Sequence, residues 1–273
     1  MCGIVGIARF DGKAVDSGML AAMTNQLVHR GPDDQGTWVD GPVGFGHRRL
    51  SIIDLAGSPQ PRASHDERLH VTFNGEVLNY REVRERLQYP FRTSGDTETL
   101  LAAFHQWGPS FVEHLSGQFA FAIHDREDRA VYLYRDRLGI LPLYYWLDGQ
   151  RLVFASEIKA ILPALPSRPE VDQQGLAAYL AHRSVPAPGT LFAGIRKLLP
   201  GHRLRVTREG TPSLERWWSI PETDTSTATS DEDATKLVSE ALRASVERNL
   251  VADVPVGSYL SGGLDSSLIV ALM

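Results

Sequence analysis

One cysteine in 273 residues, and that one at position 2, sets the terms on which this chain can fold. No intramolecular disulfide can form and no metal site can rest on thiolates, so the fold has to be held by its own apolar core. The means are present: 42% of residues are hydrophobic and 22% charged, the balance of a soluble globular chain. The length suits one large domain or two. A net charge of −5 offers no basic footprint for nucleic acid and no basic anchor for a membrane surface. No stretch has the continuous apolar length of a membrane-spanning helix. The first apolar run, Ile4 to Ala8, is interrupted by Gly6 and followed by Arg9, which is not the layout of a secretory signal. The expected location is the cytoplasm.

Hydrophobic spacing predicts a short strand over Cys2 to Phe10 and a helix over Asp16 to Val28, with Met19, Leu20, Met23 and Leu27 as its stripe. Arg30 to Asp34 reads as a turn, and Thr37 to Ile53 as strands joined at Asp40-Gly41. Leu69 to Phe73 is a strand running into Asn74-Gly75-Glu76. Helices follow over Tyr80 to Leu87 and Asp96 to Trp107, the second stopped by Gly108-Pro109. Two hairpins come next, Gln118 to Tyr134 and Leu143 to Ala155. Hairpins with helices grouped between them imply a layered α+β domain rather than βαβ alternation. Residues 219–233 are almost free of apolar side chains and read as a linker between a first domain (2–218) and a second (234–273). Ser230 with Asp233 resembles a capping box for a helix to about Leu250. Val254 to Leu260 then has a buried-strand pattern, followed by the loop Ser261 to Ser267 and a helix start at Leu268 to Met273. No internal repeat is present.

Met1-Cys2-Gly3 is a good pattern for removal of the initiator Met, because Cys is small. Removal puts a thiol and a free α-amine on one residue, with reference pKa values of roughly 8.5 and 7.7–8.0. The amine can act as general base for the thiol, directly or through one water, without a separate His. The bland alternative is an inert cysteine buried in a first strand. Four further features suit an amino-acid amide. Arg49 can clamp a carboxylate bidentately. Asn74 and the Gly75 N–H can form an oxyanion hole. Glu76 and Asp96 can accept from an α-ammonium. Each has a plainer reading: Arg49 as a surface charge, Asn-Gly as a hairpin turn, Asp96 as a helix N-cap.

Several stretches, in collinear order, resemble the class II glutamine amidotransferases, and among them the glutamine-hydrolysing asparagine synthetase family. They are Met1 to Gly6, His29 to Asp33, Arg49 to Asp54, Asn74 to Glu76, Asp96 to Glu98, Gly117 to Ala122, Arg135 to Gly139 and Phe154 to Ala160. The resemblance implies a four-layer αββα N-terminal nucleophile fold. It implies that Cys2 attacks the glutamine side-chain amide and forms a thioester, which water hydrolyses. Arg49 would bind the glutamine carboxylate, Leu50, Ser51, Ile52 and Ile53 would line the pocket, Asn74 and Gly75 would hold the oxyanion, and Glu76 and Asp96 the α-amine. Leu260, Ser261, Gly262, Gly263, Leu264, Asp265 and Ser266 resemble the pyrophosphate loop of ATP pyrophosphatases, where small residues let backbone N–H groups and a helix N-terminus meet phosphate; taken alone they are also a Gly-rich turn with a helix cap. The second domain would then be the first elements of an α/β ATP-pyrophosphatase fold.

In such a family ATP and Mg2+ activate aspartate as an adenylate, which ammonia from the glutaminase site converts to asparagine. The glutaminase half-reaction needs no cofactor and no metal ligand. Members often form homodimers. The residues that would complete the ATP and aspartate sites are expected beyond Met273, so the chain reads as a fragment able to hydrolyse glutamine but not to make asparagine alone. Related enzymes amidate or cyclise other carboxylates, and a glutamine-binding remnant without turnover is a further alternative. Leu141 stands where many relatives carry Lys, and is read as tolerated variation.

Overall fold

A computed structural model describes residues 1–55, 57–222 and 230–273. The chain divides into two compact units, Met1–Ser219 and Ile220–Met273.

In the first unit, β1 (Gly3–Arg9) is followed by α1 (Ser17–Asn25), β2 (Asp34–Asp40), β3 (Val43–Arg49), β4 (Arg62–Ala63) and β5 (Leu69–Val77). Then come α2 (Tyr80–Glu85), α3 (Asp96–Trp107), β6 (Gly117–Asp125), β7 (Ala130–Arg135), β8 (Tyr144–Leu147), β9 (Arg151–Ala155), α4 (Ile158–Ile161), α5 (Gln173–His182), β10 (Ile195–Lys197), β11 (His202–Thr207) and β12 (Pro212–Arg216). The strands form two six-stranded antiparallel sheets, ordered β10-β8-β9-β1-β3-β2 and β12-β11-β7-β6-β5-β4.

The two-residue period of a strand explains the layers. Along β1, Ile4 and Ala8 face the second sheet, where they meet Ala120, Ala122, Leu133 and Val206 together with Phe45 and Phe154 of their own sheet. Val5 and Ile7 point the other way and pack under Leu20 and Met23 of α1, Leu27 in the turn just after it, and Ala160 and Ile161 of α4. The outer face of the second sheet is covered by α3 against β5, with α2 beside it, and Phe104 of α3 meets the Phe111 and Tyr132 rings edge-on. The layering is the expected αββα.

Local details correct parts of the sequence reading. α1 is shorter than Asp16 to Val28, and Asp16 is its N-cap, accepting from the Met19 N–H at 2.9 Å. The run to Ile53 leaves the sheet at Arg49. Asn74-Gly75-Glu76 lies inside β5 and makes no turn; its register continues as Asn74 to Ala120, Gly75 to Phe119 and Glu76 to Gln118. Asp96 is the first residue of α3, and its N-cap is Gly95. No element is assigned from the sequence between Ala155 and Ser219, where the structure places α4, α5, β10 and the β11–β12 hairpin that completes the second sheet.

In the second unit Ser230 caps α6 (Asp231–Asn249), accepting from the Asp233 N–H at 3.1 Å. The last three residues of the expected linker are therefore helical, and residues 223–229 lie outside the described residues. The strand expected at Val254 to Leu260 is absent: these residues are irregular, with Tyr259 99% exposed. A strand needs a partner for its ladder, and the described residues of this unit form no other strand. α7 (Leu264–Leu272) follows directly.

Candidate active site

Cys2 stands just before β1, at the end of the inter-sheet space where β3 and β5 also finish. Its backbone is pinned: the Arg30 Nε donates to the Cys2 carbonyl at 2.8 Å, and Arg30 Nη1 reaches Glu157 Oε1 at 3.1 Å. Glu157 in turn binds the His29 ring at 2.8 Å. The thiol faces Leu50, whose N–H lies 3.4 Å from Sγ and whose carbonyl lies 3.6 Å away. Burial pushes the Cys2 thiol above its ordinary pKa, while the Leu50 N–H, the N-terminal ammonium and Arg49 act in the opposite sense. Met1, 60% exposed, precedes it. The Met1 ammonium is lowered, chiefly by burial and against the influence of the thiol.

A cavity of about 90 Å3 opens at the thiol, and most of the expected residues line it: Cys2, Arg49, Leu50, Ile52, Ile53, Asn74, Gly75, Glu76 and Asp96. Ser51 does not. Its N–H is turned to Asp33 Oδ2 at 2.9 Å, fixing the loop from behind. Arg49 is almost fully buried and is no surface charge. Its guanidinium donates to three carbonyls of the following loop, Leu55 at 2.8 Å, Ile53 at 3.1 Å and Asp54 at 2.7 Å. It therefore builds the wall as well as lining it. Asp54 extends the same loop, accepting from the Gly57 N–H and the Ser58 hydroxyl, each at 3.0 Å.

Opposite the thiol, Asn74 is wholly buried, yet neither its amide nitrogen nor its amide oxygen has a partner. Leaving such a group unmade costs about 1–3 kcal/mol, a cost that folding tolerates where a ligand will supply the bond. Gly75 takes φ +146, and a Cβ there would stand 2.2 Å from the Gln118 carbonyl oxygen, so only glycine lets β5 approach β6 at this point. Asp96 reaches back from α3 to accept the Val77 N–H at 3.1 Å. Burial pushes its carboxyl up to about 7, opposed by that N–H and reinforced by the charge of Glu76. Glu76 is raised too, by burial against the pull of the N-terminal ammonium.

Sequence reasoning missed Gln60, Thr97 and Gln118 as lining residues. Gln60 is 8% exposed and closes a two-way bond with the Phe73 backbone, its Oε1 accepting at 2.7 Å and its Nε2 donating at 3.2 Å. It lies between two prolines, with no hydrophobic period to signal burial. In the second unit, Ser261 and Ser266 bond through their hydroxyls at 2.9 Å, Gly262 takes φ +80, and the N-terminus of α7 has no side-chain cap. Among the described residues, no group of three or more His, Cys, Asp or Glu is placed to hold a metal ion, and no helix is long and apolar enough to cross a membrane.

Comparison with known proteins agrees with this geometry. Residues 1–218 match the family described as a glutamine amidotransferase domain, and residues 237–273 match that described as asparagine synthase. The chain is 38% identical over its whole length to asparagine synthetase [glutamine-hydrolyzing] 1 of Bacillus subtilis, of which it covers 44%. It is 34% identical to an amidase of Penicillium rubens, covering 100% of this chain and 42% of that one. It thus spans about half the length of the curated relatives it matches. Among solved structures, the glutamine phosphoribosylpyrophosphate amidotransferase of Bacillus subtilis superposes with a TM-score of 0.59 at 19% identity, over 99% of this chain and 63% of that one, which shows the shared fold. The chain belongs to the glutamine amidotransferase domain family, in the form that continues into an asparagine synthase domain.

Proposed function

We propose that the first unit hydrolyses glutamine to glutamate and ammonia, with Cys2 as nucleophile. The observation that carries this reading is the Asn74 amide, buried and unpartnered on both atoms, in the same cavity as the only thiol. Removal of Met1 would leave the α-amine on Cys2 itself, near enough to take the thiol proton. Sγ attacks the side-chain amide carbon, and the oxyanion is met by Asn74 Nδ2 and the Gly75 N–H. The protonated amine gives its proton to the departing ammonia, and water releases glutamate from the thioester. Glu76 and Asp96 receive the substrate ammonium. A bound cation beside Asp96 favours its ionised form, so substrate pulls the proton off a carboxyl that burial holds near neutrality. Arg49 has five N–H groups; both on Nη2 and one on Nη1 are held by loop carbonyls, so the substrate carboxylate would meet a single one of the remaining N–H groups together with the positive charge.

For a protein in which the asparagine synthase domain is complete, we infer glutamine-dependent amidation of aspartate in the cytoplasm, driven by ATP. The exposed loop 260–266 and the uncapped N-terminus of α7 suit a phosphate group. Mg2+ would arrive with the nucleotide and neutralise its phosphates. The domain boundary at 218–219 is part of the same proposal. The amidase relative favours a second reading, in which another carboxylate is the acceptor.

The test is glutamate release from glutamine by the parent chain and by Cys2→Ala, with the intact mass of each. Loss of one Met from the parent, with turnover that vanishes in the variant, is the expected outcome. Turnover that survives in Cys2→Ala would overturn the assignment. Asn74→Ala should lower kcat by about 10²–10³-fold, the usual effect of removing one oxyanion donor.

A further inference from the structure

The space between the two sheets has two ends. Cys2 closes one, and β1 leads from it to Phe10 at the other, about 25 Å away at 3.3 Å per residue. That far end holds a second cavity, of about 270 Å3. Its floor is apolar, made by Ala8, Phe10, Val43, Val131 and Val206. Its rim carries four arginines, Arg9, Arg126, Arg129 and Arg208, against one lining carboxylate, Asp40.

Two of the arginines are engaged. Arg9 Nε donates to Asp11 at 3.0 Å, and Arg126 Nε to Asp40 at 2.8 Å. Arg129 and Arg208 form no ion pair within 4 Å among the described residues; exposed Glu209 is the acid that feels their charge. Set into the wall is His124, 7% exposed, with its Nδ1 buried and unpartnered. It stands across the strand pair from His70, whose ring stacks on Trp38 at 3.9 Å. Burial holds the His124 pKa at about 4, with Asp40 opposing and Arg126 reinforcing, so at neutral pH the ring is an uncharged hydrogen-bonding group.

We propose that this second cavity is a binding site for a small organic anion with an apolar body. The apolar floor receives the body, Arg129 and Arg208 receive the charge, and His124 Nδ1 gains the partner it lacks. A hydrated inorganic ion would leave the floor wet, and a neutral apolar molecule would leave both guanidinium groups unmatched. The site is separate from the Cys2 cavity and does not depend on glutamine hydrolysis.

Benzoate, its neutral counterpart benzamide and inorganic sulfate test this on the full chain. The readout is the NMR signal of the His124 ring, assigned with His124→Gln. Benzoate should shift that signal saturably with a Kd of about 1 mM, the range expected for nine heavy atoms. Benzamide and sulfate should bind about tenfold more weakly or worse, and the double variant Arg129→Ala/Arg208→Ala should lose benzoate by the same factor, as expected for a lost charged pair. Cys2→Ala should bind benzoate unchanged. The proposal is overturned if no saturable shift appears, if benzamide matches benzoate, or if the shift is lost in Cys2→Ala but kept in the arginine variant.

Discussion

Gly3–Arg9 and the segment 254–260 each hold four apolar residues in seven, and they end in opposite environments. β1 is flanked on both sides, by β3 and by β9, and Ile4 and Val5 are fully buried. Residues 254–260 pair with no strand among the described residues of their unit, and Leu260 is 61% exposed. Apolar content makes a strand only where other segments complete its ladder and cover its faces. Burial is a property of the assembly, and each run has only a potential for it.

The comparison can be broken most sharply by truncation. Ile4→Ala should destabilise the chain by about 2–5 kcal/mol in urea denaturation, as for a large side chain removed from a full core. A value under 1 kcal/mol would mean that the inter-sheet layer is loosely packed. Overfilling is the next largest effect. A Cβ at Gly6 would stand 2.2 Å from Phe154 Cζ and 2.9 Å from Phe45, so Gly6→Ala should cost about 1–3 kcal/mol. A neutral result would place those rings off their observed positions.

A pH series tests the same core through its charge. Asp96 is protonated in the fold up to about pH 7, whereas an unfolded carboxyl ionises from about pH 4. Between those values the folded state binds more protons than the unfolded one, so stability should fall as pH rises, by at most about 1.4 kcal/mol per unit, and level off above 7. Asp96→Asn should remove that slope; a slope that persists in the variant would assign it elsewhere. The smallest effect belongs to the second unit, where Leu260→Ala should stay within about 0.5 kcal/mol. A larger loss would show that residues 254–260 are packed in solution.

The first unit was legible in strand runs and in motifs. Apolar spacing marked β1, β6, β7 and β9, and the paired residues Cys2, Asn74, Gly75, Glu76 and Asp96 do meet in one cavity. Gln60 was hidden because a buried polar residue leaves no hydrophobic period, and half-buried Gln118 leaves none either. Ser51 does not line the cavity, because one residue in an irregular loop can turn its backbone either way, and here Asp33 captures its N–H.

The sequence by itself determined the chemistry available: one thiol, at the position where Met removal adds an amine, with the amide, carboxyl and guanidinium groups an amino-acid amide requires. It also determined the layered α+β class, because two-residue and helical periods follow from local geometry. Only the tertiary structure decided which groups share a cavity, that Arg49 spends three bonds on its own loop, that Asn74 is left unpartnered, and that the far end of the sandwich gathers four arginines around His124. The Arg49 bonds are local, four to six residues along the chain, but the two cavities bring together distant segments, such as Cys2 with Leu50 and Ala8 with Val206. Their proximity is set by how sheets stack, and no local pattern encodes it.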